Sequence, residues 1–286
     1  MEQKISIPRR LNIDYKSFTF LAKLQNDIVQ SDADIIRLDF TECLYTDAAF
    51  TAYIGALAEI AIELGKYVVY ETKEDSAVCN YFKRSGLYGY VTGDNDNKEY
   101  INDYAIPFAK ANLEESFIVD YIDKILELAP IMLSEDCNSK LFKNIYEMFS
   151  NSIDHSHAQY GVYSCGHWMP KRKELVFSIY DTGNGIAKTV QSKVNADFSA
   201  KEAVNWALKR GNSTKQLIQG IPRGLGLADL VDFIKLNNGS LRIMTNNICY
   251  SVGKSDNCVQ LDKNIIGTLL SITIVADYNH LYVVKK

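Results

Sequence analysis

The sequence predicts an α/β (α+β) protein in two units, residues 1–92 and 115–286, joined by a connecting segment over 93–114. Three observations lead there. In the first third, short β-branched runs alternate with stretches of helical periodicity. In the second half, the apolar runs ELVFSIY (174–180) and LLSITIVA (269–276) read as buried strands set among amphipathic helices. Between the halves, TGDNDNKEYINDY (92–104) is polar and turn-rich, and 286 residues suit two domains each large enough to bury a core.

The N-terminal elements follow in order. KISIP and RLNID are strand-like, and a helical stretch runs from Ser17 to Val29. The strand IIRLDF (35–40), a helix from about Ala48 to Leu64, the strand YVVYE (67–71) and a helix from about Ser76 to Ser85 complete the unit.

In the C-terminal unit, Phe142, Ile145, Tyr146, Phe149 and Ile153 form an apolar stripe on a helix from Leu141 to Asp154. At about 100° per residue, Glu147, Asn151 and Asp154 fall on the opposite side. Such a stripe is ordinarily a solvated face. Its chemistry nevertheless suits one shared ligand: an amide oxygen suits Mg²⁺, and a carboxylate one turn away can orient or deprotonate a hydroxyl.

The strand from Glu174 to Tyr180 ends abruptly at Asp181, Gly183 and Gly185, which alone would be an ordinary turn. Further on, Gly220, Gly224, Leu225 and Gly226 precede renewed helical spacing through Leu227, Leu230, Val231 and Phe233. Glycines opening a helix expose N–H groups where phosphates can be held. A Rossmann fingerprint would have to follow the first strand of a βαβ unit, and no Walker loop is present. Between the glycine groups lie a helical stretch (Ala200 to Lys209) and the run Gly211, Asn212, Ser213, Thr214 and Lys215, whose hydroxyls and cation suit phosphate oxygens. Arg223 could fork onto a phosphate in the same way. Gly267 and Thr268 open the last strand.

Read together and in order over about residues 115 to 276, NIYEMFSNSIDHS, SIYDTGNGI, GIPRGLGLADL and the Gly267–Thr268 pair resemble the N box, glycine boxes and GT element of the GHKL ATPases. The resemblance implies a two-layer α/β sandwich with a mixed sheet that binds ATP and Mg²⁺. It implies that Asn151 holds the metal, Asp154 belongs to the binding set, and Asp181 accepts the exocyclic amine of adenine, backed by Thr268. Gly183, Gly185, Ser213, Thr214, Lys215, Arg223, Gly224, Leu225 and Gly226 would cradle the nucleotide, and Glu147 would serve as catalytic base.

No histidine precedes the N box, which is unlike the histidine kinases, and no transducer-sized segment stands before Lys286, which is unlike gyrase or chaperone ATPases. The E-x3-N spacing followed by His155 is similar to the anti-sigma-factor serine kinases. More similar still are bacterial ATP-binding proteins with an E-x-F-x-N-S-x-[DE]-H-S segment, a C-G-x-x-x-P-K stretch (Cys165 to Lys171) and a G-N-[ST]-T-K lid. Hydrolysis, transfer to a serine or threonine of a protein partner, and a non-catalytic ATP-gated switch all stay open.

The order of the N-terminal elements and the loop FTECLYTDAAF resemble a STAS domain. Where STAS antagonists carry a phosphorylatable serine, this chain has Ala48 and Ala49 after Asp47. The expected role is to dock a protein partner or to pack on the chain's own ATPase-like unit.

Net charge is −4 and no strongly basic run occurs, which disfavours nucleic acid and anionic membrane surfaces as partners. The start MEQKISIPRR lacks a signal-peptide core and no apolar run reaches membrane-helix length, so a cytoplasmic setting is expected. The six cysteines, at 43, 79, 137, 165, 249 and 258, form no C-x2-C pair and read as free thiols. His155, His157, Cys165 and His167 cluster in sequence without a recognisable zinc spacing. No heptad run marks a dimer surface, which leaves homodimer pairing open.

Overall fold

The computed structural model describes residues 1–93, 104–111, 114–129, 131–154, 158–214, 226–253 and 256–284, with backbone alone at Asp154 and Gly226. The protein is mixed α/β. Its N-terminal part runs β1 (Glu2–Ser6), β2 (Arg10–Leu11), α1 (Tyr15–Gln30), β3 (Ile35–Asp39), β4 (Tyr45–Thr46), a 3₁₀ turn (Ala48–Phe50), α2 (Thr51–Glu63), β5 (Tyr67–Glu71), α3 (Ala77–Arg84) and α4 (Leu87–Thr92). β1, β3 and β5 form a parallel sheet in the order β1-β3-β5, with Glu2 opposite Ile35 and Ile35 opposite Tyr67. α1 and α3 begin at capping side chains: Asp14 accepts from the Ser17 N–H at 2.9 Å, and Ser76 from the Cys79 N–H at 3.1 Å.

The second part continues with β6 (Ala105–Ala111), α5 (Glu115–Glu127), α6 (Glu135–Asp154), β7 (Val162–Met169), β8 (Glu174–Asp181), α7 (Ile186–Lys193), α8 (Ala200–Ala207), α9 (Gly226–Leu236), β9 (Ser240–Thr245), β10 (Ile248–Val252), β11 (Asn257–Gln260) and β12 (Thr268–Val275). Its seven-stranded sheet has the order β11-β10-β9-β12-β8-β7-β6. The mixed sheet expected from the sequence is corrected here: every neighbouring pair in it is antiparallel. Short connections such as Pro170–Lys173 and Asn246–Asn247 allow only antiparallel neighbours. β6 lies inside the expected connecting segment, at the sheet edge, with a register shift around Pro107 where a residue without an N–H is tolerated.

Alternation along the central strands explains their continuous apolar character. On β8, Leu175, Phe177 and Ile179 face the core shared with α5, α6 and α9, while Val176 and Tyr180 face the N-terminal part. A strand buried on both faces needs apolar residues at consecutive positions. The second face is covered by α2, whose residues Thr51 to Leu57, Ile60 and Ala61 are all buried. A helix apolar all round must be enclosed, and α2 lies against β5 on one side and β7 and β8 on the other.

One core thus runs across both parts: Phe50, Tyr53 and Leu57 belong to the same cluster as Tyr163, Tyr180, Met244 and Leu269. Each fully buried large apolar side chain contributes about 1.5–3 kcal/mol. The partly exposed Lys110–Glu59 pair that also bridges the parts, at 2.9 Å, is worth at most about 1 kcal/mol. Apolar burial therefore holds the two parts together. Among the described residues, no helix is long and apolar enough to cross a membrane.

Candidate functional site

Asp181 ends β8 in the middle of the large sheet and is 6% exposed. Its Oδ1 accepts the Gly183 N–H at 2.9 Å. Burial pushes the carboxyl up to about 7, against the lowering effect of N–H groups of Gly183 and Thr268. Thr268, the first residue of β12, lies directly opposite Asp181 in the ladder. Gly267 precedes it at φ +77°, in the left-handed region that favours glycine.

The glycine turn after Asp181 is held by residues the sequence reading did not single out. Thr245 Oγ1, fully buried, accepts the Ile186 N–H at 2.9 Å and lies 3.1 Å from Thr268 Oγ1. Asn246 donates from Nδ2 to the Asn184 carbonyl at 3.0 Å and accepts the Lys188 N–H at 3.2 Å. Gly185, at φ +82°, leaves room for this pair, since a Cβ there would stand 2.6 Å from Asn246 Oδ1. The available signal was Asn-Asn between two strand patterns, which marks a tight hairpin, and Asn246 adopts φ +49° there. Thr182 Oγ1 accepts the Tyr160 N–H and donates to the Gly161 carbonyl, both at 2.9 Å, tying the turn to the chain returning from α6.

α6 packs against α5, α9 and β8. Its buried face centres on Leu141, Ile145, Met148 and Phe149 and includes Asn144 and Ser152, while Phe142, Tyr146 and Ile153 of the expected stripe are only partly buried. Glu147 and Asn151 are half-buried, one turn apart on this helix. The Asp154 side chain lies outside the described set, as do Lys215, Gly220, Arg223, Gly224 and Leu225, and Gly226 is described by its backbone at the start of α9. Ser213 and Thr214 follow the end of α8 and are half-buried. Arg210, beside them, pairs with Asp229 and, at 3.5 Å, with Asp232, fastening this end of α8 to α9.

His155 and His157 lie outside the described residues. Cys165 is fully buried with its thiol turned to the Ile106 carbonyl at 3.6 Å, and His167 sits edge-on to Tyr81 with ring centroids 6.0 Å apart. Among the described residues no group of three or more His, Cys, Asp or Glu gathers to hold a metal.

A groove of about 870 Å³ opens beside the glycine turn, lined by Gly183, Asn184, Lys188, Gln191, Lys201 and Gln260 among others. Its lining does not include Asp181, Glu147 or Asn151, so among the described residues the site outlined by the motifs and this groove meet at the turn. Compared with known proteins, the chain matches no family model and no curated protein sequence.

Proposed function

We propose that the C-terminal part is a GHKL-like domain that binds Mg²⁺-ATP and hydrolyses it, with an N-terminal STAS-like domain that engages a protein partner. The single observation that carries this reading is Asp181: a buried carboxyl in mid-sheet that accepts from the backbone N–H groups of Gly183 and Thr268, with burial raising its pKa to about 7. Isolated buried carboxyls are costly, and an acceptor of this kind suits an amino group such as that of adenine.

In this reading Asp181 orients the base, and the Gly183–Gly185 turn lets the backbone approach it closely. Asn151 is a single amide ligand, which fits a Mg²⁺ ion that keeps waters and phosphate oxygens for its other positions. The ion would supply charge neutralisation at the phosphates. Glu147, one turn from Asn151, would hold the attacking water and take its proton. Ser213, Thr214, Lys215 and Arg223 would serve the phosphates.

Serine phosphorylation within the chain's own STAS-like loop has no acceptor. Ala48 and Ala49 carry no hydroxyl and are 2% and 1% exposed, packed on Val176 of β8. This favours hydrolysis, or ATP-gated switching, over transfer to those two positions.

The test is ATP binding and turnover with Mg²⁺ for the wild type, Glu147→Gln and Asp181→Asn. Turnover lost in Glu147→Gln with binding kept, and adenine selectivity lost in Asp181→Asn, support an ATPase. Binding without turnover in the wild type would leave the switch, or a kinase acting on a partner's serine or threonine. Unchanged affinity in Asp181→Asn would sink the nucleotide reading.

A further inference from the structure

We infer that Gln25 is a positioning residue through which the N-terminal part sets the geometry of the Asp181–Thr268 pair. Gln25 lies on α1, is 1% exposed, and reaches into the large sheet. Its Oε1 accepts the Ile266 N–H at 2.6 Å, and its Nε2 donates to the Tyr180 hydroxyl at 2.8 Å. The hydroxyl in turn donates to the Ile266 carbonyl at 2.7 Å, which closes the ring of hydrogen bonds. Tyr180 immediately precedes Asp181, and Ile266 immediately precedes Gly267 and Thr268. One side chain of the N-terminal part therefore holds the Ile266 backbone, two residues before Thr268, and the side chain of Tyr180, next to the buried carboxyl.

The chemistry is specific to a carboxamide. It offers an acceptor and a donor at once, and both are used. The Tyr53 ring, 4.8 Å from the Tyr180 ring, fixes the phenol in place, and both rings belong to the shared core. A partner that shifts the N-terminal part would thus shift Tyr180 and Ile266 with it. The functional consequence rests on the nucleotide reading above; the structural coupling does not.

The experiment uses the full chain as wild type, Gln25→Ala, Gln25→Glu and Glu59→Gln. Glu59→Gln is the control, because it perturbs a bridge between the two parts, to Lys110 at 2.9 Å, that involves neither Tyr180 nor Ile266. Hydrogen exchange of the Gly183 and Thr268 amides in the free protein is read beside ATP affinity. Gln25→Ala is expected to speed exchange at both amides and weaken ATP roughly tenfold, with Glu59→Gln changing neither. Relative to the wild type at the same pH, Gln25→Glu is expected to recover both near pH 5.5, where a protonated carboxyl can donate as the amide does, and to lose them near pH 8. Exchange no faster in Gln25→Ala than in Glu59→Gln overturns the inference. If Asp181→Asn leaves ATP affinity unchanged, the nucleotide reading fails while the exchange measurement still decides the role of Gln25.

Discussion

A Cβ placed on Gly267 would lie 1.7 Å from the carbonyl oxygen of Asp181, closer than any side-chain carbon can stand to backbone. The strand carrying Thr268 meets the strand carrying Asp181 at this point, so only glycine lets the two approach. Gly267→Ala is expected to destabilise the fold by at least about 3 kcal/mol, through overlap and left-handed strain together. Urea denaturation of the variant checks this.

The buried Asp181 carboxyl makes stability depend on pH. Its folded pKa, about 7, lies above the ordinary value of a free aspartate, about 3.9. The folded state thus holds the proton more tightly, and this contribution is full below about pH 4 and lost as pH rises through 7. Denaturation at pH 5, 6, 7 and 8 should show wild-type stability falling relative to Asp181→Asn across that window.

The same carboxyl predicts a proton signature for nucleotide binding. An amine donating to Asp181 favours the ionised form, so binding near pH 7 releases a proton and affinity rises with pH. Calorimetry in buffers of different ionisation enthalpy should detect that release in the wild type and a smaller one in Asp181→Asn.

Thr245→Val keeps the side-chain shape and removes the acceptor of the Ile186 N–H. Leaving that group unpaired costs about 1–3 kcal/mol and frees the glycine turn. The expected result is a lowered melting temperature with weaker ATP binding, and an unchanged melting temperature would show that the turn is held by other means.

Ala49→Asp would set a charge against Val176 in the seam between the two parts. The expected outcome is loss of more than about 3 kcal/mol. Limited proteolysis within residues 92–104 would follow the parting of the two halves.

Much of the chain could be read from its residues. The YVVYE strand falls at Tyr67–Glu71 as expected, and Ser76 caps the helix expected to begin there. At the candidate site, Asp181 and Thr268, which the family resemblance and not local pattern associates, face each other as a ladder pair. β6 was hidden by Pro107, which reads as a breaker, yet sits in an irregular edge pairing. On α6 the core face takes in Asn144 and Ser152, polar residues that shift its centre away from Phe142 and Tyr146. Strand direction was illegible because the pattern of a doubly buried strand is the same in parallel and antiparallel sheets. Thr245 and Asn246 serve by hydrogen-bonding a distant backbone, and no local pattern announces that.

The bond from Gln25 to Ile266 spans 241 positions of chain. α1 and α2 leave the ribosome long before β8 and β12 exist, so the inner side of α2 has nothing to lie against during most of synthesis. Contacts of such sequence separation slow folding. The early half of this protein is therefore the half that must wait, and a strain short of chaperones that shield nascent apolar surface should lose its soluble yield first.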